Sequence, residues 1–129
     1  MENRPIYAAN SPQALKMYFV SPRHYSGIQK GIQGIHSLGE FVLQYFNEQD
    51  TQEWLRHYKT AIVLQTNSLS DFQNLRERLL REGVKVGEFF EEDLGDAETS
   101  LCFICSEERF DKLSYGLTKF VKSLALATN

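Results

Sequence analysis

Residues 26–46 read SGIQKGIQGIHSLGEFVLQYF, and the fold follows from how this stretch is read. At about 100° per residue, Ile28, Ile32, Ile35, Gly39, Val42 and Phe46 fall on one side, and Leu38, Phe41 and Tyr45 widen it. The pattern predicts one long amphipathic helix whose apolar side packs on a core. Ser26 suits its N-cap, because a serine hydroxyl can accept from an unpaired first-turn amide. Gly31 and Gly34 are expected on the buried side. Glycine inside a helix costs about 1 kcal/mol against alanine, so a close backbone approach is expected there. Gln29, Gln33, His36 and Glu40 form a separate polar line. Two readings of that line stand: a solvated face, or the hydrogen-bonding edge of a site. Amides and an imidazole occupy it where a solvated helix more often carries Lys and Glu.

Working outward, Lys16–Val20 (KMYFV) reads as a first strand, and SPRHY (21–25) as the loop that feeds the helix. Residues 1–15 show no period and read as an irregular or mobile arm. Beyond the helix, Thr51–Tyr58 reads as a short second helix capped by Thr51. Lys59–Thr66 has the continuous apolar centre of a strand covered on both faces. Ser68 and Asp71 have capping-box spacing ahead of a third helix that ends near Gly83. Val84–Glu91 and Thr99–Cys105 read as strands on either side of an acidic turn, and Ser106 caps a last helix.

This order predicts a single-domain α/β three-layer sandwich over residues 16–125, with a four-stranded mixed sheet and helices on both faces. The first three strands are expected parallel, the fourth antiparallel, and residues 126–129 a frayed tail. The chain has 129 residues, is 42% hydrophobic and carries a formal net charge of -3. That composition excludes a disordered chain, and the charge argues against a dedicated nucleic-acid binder. No apolar run is long enough to span a membrane and the start lacks a signal-peptide core, so a cytoplasmic address and no membrane partner are expected. Cys102 and Cys105 are spaced to point to opposite faces of a strand, which suits packing better than a disulfide or a metal. No metal and no cofactor are expected.

Ligands of an open sheet gather outside the carboxyl ends of its parallel strands. Two connections with unusual content leave such ends: SPRHYSG and EEDLGDAET. If the fourth strand lies between the first and third, the two meet, with Asp93 near Gln29, Lys30 and Gln33. A carboxylate there could orient water or a substrate N–H, or could merely turn its own loop. The apolar residues Phe89, Phe90, Tyr115 and Trp54 could serve an interface or the core. The chain has no Walker loop, no G-x-S-x-G and no H-E-x-x-H.

The run GIQKGIQGIHS, with Gln33 and His36 as Q-x-x-H, resembles the signature of type II peptidyl-tRNA hydrolases. EEDLGDAETSL resembles the D-x-G loop before the last strand in the bacterial and phage-like branch of that family. The resemblance implies metal-independent hydrolysis of the ester in peptidyl- or aminoacyl-tRNA. It implies Gln33, His36, Asp93 and, loosely, Thr99 at the site. Gln29 stands at the family's lysine position, and Lys30 is one residue out of register. On this reading Asp93 orients the water, Gln29 and Gln33 bind the ester or terminal ribose, and Arg23, His24 and Lys30 hold phosphate, with tRNA as partner. The alternative is a non-catalytic interaction protein on the same fold, with a homodimer as one form of it. Glu91, Glu92, Asp96 and Glu98 favour it, since they repel a phosphate backbone.

Overall fold

Alternation along the first strand sets the layers. In the computed structural model, which describes residues 4–127, β1 (Lys16–Pro22) turns Met17 and Phe19 to one side of the sheet and Tyr18 and Val20 to the other. It lies central in a sheet ordered β3-β4-β1-β2-β5. β2 (Ala61–Thr66) runs parallel to β1 and β4 (Ala97–Cys105) antiparallel, so that Phe19 lies between Val63 and Cys102. β3 (Gly87–Glu91) is antiparallel to β4 and hence parallel to β1. The mixed open sheet agrees with expectation, but it has five strands rather than four. β5 (Ala125–Leu126) pairs with β2 where a frayed tail was expected, and the Ala127 amide donates to the Val63 carbonyl at 2.9 Å. Two residues are too few to show a period, so only the open edge of β2 makes them a strand. Residues 128–129 of the expected tail lie outside the described residues.

On one face, α3 (Leu69–Arg81) and α5 (Tyr115–Ser123) cover Tyr18, Val20, Leu101 and Phe103 with Phe72, Leu75, Leu79, Leu117 and Val121. On the other, α1 (Gly27–Tyr45) and the Trp54–Tyr58 turn cover Met17, Phe19 and Cys102. Cys102 and Cys105 fall in opposite clusters, both buried and unbridged.

α1 begins as expected, with Ser26 and Gln29 in a reciprocal capping box. Its orientation is not the expected one. The buried residues are Lys30, Gly34, Ser37 and Phe41, while Ile28, Ile32, Ile35 and Phe46 are exposed. The cause is how closely the helix sits on the sheet. A Cβ on Gly87 of β3 would lie 2.5 Å from Phe41 Cβ and 2.6 Å from the Ser37 carbonyl oxygen. Ser37 Oγ is 3.0 Å from Ser100 Oγ, and Gly34 rests on the Phe19 ring. Small residues therefore make the contact, and the isoleucines point away. Gly34 has the close approach expected of it; Gly31 is exposed, with no atom near its missing Cβ.

Three local expectations also change. Thr51 caps nothing: it is buried within α2 (Gln49–Glu53), which runs on into a π-helical turn over Trp54–Tyr58. The last helix is two, α4 (Glu107–Phe110) and α5, capped by Ser106 and Ser114. The arm, over residues 4–15, is irregular but tied down. Arg4 bridges Asp50 and Glu53, the Tyr7 amide donates to Tyr58 Oη, and Leu15 is buried. Of the aromatic surplus, Trp54 is buried and its indole N–H donates to the Thr60 carbonyl at 2.8 Å. Tyr115 and Phe90 are exposed. No helix among the described residues is long and apolar enough to cross a membrane.

Candidate functional site

β1 and β2 end side by side at Pro22 and Thr66, next to the start of α1. The Arg23 amide donates to the Thr66 carbonyl at 3.0 Å and fixes the loop into the helix. Below that loop the sheet is polar: Ser21, Gln65, Thr66, Thr99 and Ser100 are all buried. Lys30 turns inward from α1, is 2% exposed, and donates from Nζ to Gln65 Oε1 at 2.6 Å. Burial, and after it the charge of Arg23, lower its pKa.

One turn on, Gln33 joins three elements. Its Oε1 accepts from Thr99 Oγ1 of β4 at 2.8 Å, and its Nε2 faces Glu91 Oε2 at the end of β3 at 3.4 Å. The Glu91 carboxylate can only accept, so it fixes which way the amide points: one Gln33 N–H faces Glu91 and the Thr99 hydroxyl donates to the carbonyl oxygen. The same Glu91 carboxylate accepts from the Asp93 backbone amide at 3.5 Å and caps the 3-10 turn Glu92–Leu94.

The structure thus brings Gln33 and Thr99 together and adds Glu91, which sequence reasoning had not placed at the site. Asp93 joins this cluster through its backbone amide on Glu91; the other candidates stand on neighbouring turns of α1 or in the loop before it. Asp93 is exposed on the turn, two residues beyond Glu91. His36 is exposed, its ring stacked on Phe89 at 4.5 Å. Gln29 Oε1 accepts from the Ser26 amide at 3.3 Å, so this side chain belongs first to the cap. Arg23 and His24 are exposed in the loop, and His24 lies against Tyr25 with ring centres 4.1 Å apart. Gln65 was also missed. Its signal was a polar residue closing the apolar run IVLQT at a parallel strand's carboxyl end. Chemically, the corner offers a fixed amide donor and adjacent carboxylate acceptors, while the Lys30 ammonium lies over β2 against Gln65.

Across the sheet edge is a second polar cluster. Arg76 of α3 bonds Glu88 and lies 3.1 Å from Glu98 Oε1, beside a cleft of about 530 Å³. Burial first, then the Glu88 charge, push the Glu98 carboxyl up to about 8, and Arg76 offsets only part of that rise.

No protein-family model matches the sequence, and no curated protein matches it. Among solved structures, a protein of unknown function from Agrobacterium tumefaciens strain C58 is similar, with a TM-score of 0.59 over 88% of this chain and 98% of that one. The two are 12% identical, so the likeness extends to the fold alone.

Proposed function

We propose that the chain is a metal-independent esterase acting on peptidyl- or aminoacyl-tRNA, at the corner where Gln33, Thr99 and Glu91 meet. That junction of α1, β3 and β4 is the observation that supports the reading. In this reading the Gln33 N–H donates to the ester carbonyl oxygen. Asp93 orients a water and takes its proton as the water oxygen attacks the carbonyl carbon. The ester C–O bond breaks, and the terminal ribose hydroxyl leaves with that proton. Thr99 and Glu91 hold Gln33 in place, and Arg23 and His24 meet phosphate. Lys30 supplies its charge from below, through a buried position, rather than by touching the backbone of the RNA.

The test is release of labelled acyl groups from charged tRNA. Wild-type chain should turn over, and Asp93→Asn should lower the rate by about 10²–10⁴-fold. No release, or an equal rate in the variant, removes the reading. The acidic turn favours a second one, a binding protein without turnover. Glu92, Asp93 and Asp96 are all exposed on it and would repel a phosphate chain. Binding of tRNA that tightens when these three are neutralised, with no release at any stage, would select that reading.

A further inference from the structure

The outer side of α1 is an apolar feature that the candidate site does not use. Ile28, Ile32 and Ile35 are 76%, 46% and 69% exposed, and Phe46 is 52% exposed. Beside them an apolar groove of about 180 Å³ runs between α1 and β2, walled by Phe19, Gly31, Leu38 and Val63. Leu43, 79% exposed, and Val63, 37% exposed, extend this apolar side. Apolar surface contiguous over several side chains marks an interaction site more often than singly scattered residues do.

The spacing says what fits there. Positions 28, 32, 35, 39, 42 and 46 alternate steps of four and three, which is the seam of a helix that packs along another helix. The seam is also its own complement. Its positions mirror about the level of Ser37, so an antiparallel copy sets Ile28 against Phe46, Ile32 against Val42 and Ile35 against Gly39. No atom lies within 4 Å of where a Gly39 Cβ would stand, which leaves a hollow for the partner's isoleucine. Charge is compatible as well. α1 carries only Lys30 and Glu40, and Lys30 is buried, so two copies meet without like-charge repulsion. A helix lying on a membrane surface would instead flank its apolar side with exposed Lys and Arg.

We infer that a second copy of this chain covers the outer side of α1, as an antiparallel pair about a two-fold axis at the level of Ser37. The inference gives a surface to the interaction reading, and it holds whether or not the candidate site turns over. Sedimentation equilibrium of the full chain, up to about 100 µM, should give twice the 14.9 kDa chain mass. Ile35→Glu should weaken association about 100-fold or more, because a two-fold axis makes each substitution count in both copies. Its circular dichroism should be unchanged, since the position is exposed; Ile28→Glu serves as a second variant. A thiol cross-linker should join copies of Ile28→Cys/Phe46→Cys but not copies of Ile28→Cys alone. A monomer, with or without binding to anionic vesicles, overturns the inference. So does a dimer that both glutamate variants leave intact, or cross-linking of the single cysteine variant. Acyl release measured on the same samples reads the chemistry separately.

Discussion

Glu98 and Gln33 are polar side chains at the same end of the sheet, and they differ in how their partners satisfy them. Gln33 has a hydroxyl to accept from and a carboxylate to face. Glu98 has a side chain only 10% exposed, one oxygen near Arg76, and an Oε2 with no hydrogen-bond partner among the described residues. A carboxyl in that position favours its neutral form. Its pKa is raised on folding, so between about 4.5 and about 8 the folded chain binds a proton that the unfolded chain has lost. Stability from this group is therefore full below about pH 4.5 and is lost as the pH rises towards 8. Glu98→Gln keeps a neutral amide at every pH. We expect variant and wild type to unfold at similar urea midpoints near pH 4.5, and the variant to be more stable by roughly 2 kcal/mol at pH 8.5. Of the two polar residues, Gln33 was legible in the sequence through Q-x-x-H. The carboxylate that meets it was not. Five acidic residues crowd positions 91–98, and a bulge between Phe89 and Phe90 shifts the alternation by which a strand is counted.

At the scale of elements, α1 shows what periodicity can and cannot tell. Its period and its cap both predicted the helix. A period locates the apolar side of a helix but not what covers it, and here the core took the narrow side of Gly34, Ser37 and Phe41. The residue that decides this is Gly87, on a different element and some fifty positions away. At Gly87 only hydrogen fits against the α1 backbone, so Gly87→Ala must push the helix off β3 or bend the strand. Overpacking of this kind costs about 1–3 kcal/mol, and more where the contact is backbone. We expect a loss of at least about 2 kcal/mol in urea unfolding, with α1 and the Gln33–Thr99 bond displaced together. Faster amide exchange in the first turns of α1 would show the displacement. Unchanged stability would mean that the helix does not sit as close as described.

For the molecule as a whole, connection rules made the strand directions readable, because crossovers and a short turn leave few choices for β1 to β4, whereas the place of β4 between β1 and β3 stood only as a condition of the site. What joins distant segments was not readable. Asp50 accepts from Arg4 of the arm at 2.8 Å and from Arg109 of α4 at 2.9 Å, and its other oxygen also bonds Arg109. One carboxylate thus ties the start of the described chain, α2 and α4 into one unit, and no local pattern marks it among seventeen acidic residues. Burial alone would raise its pKa, but the hydrogen bonds from Arg109 and Arg4 outweigh burial and hold it lowered. The stability it brings is therefore present above the ordinary carboxylate range and is lost as the pH falls through its depressed folded value. Asp50→Asn keeps the shape and removes the charge. Side chains here are about a third exposed, so solvent weakens the pairing and the cost at pH 7 should be modest, about 1–2 kcal/mol. That difference should shrink in acid, where wild type loses the same charge. The arm should report it locally, with amides over residues 4–15 exchanging faster in the variant at pH 7, while those of β1 speed up only as far as the global loss of stability requires. A stability difference that persists undiminished at pH 2 would mean that the side chain acts through packing and not through its charge.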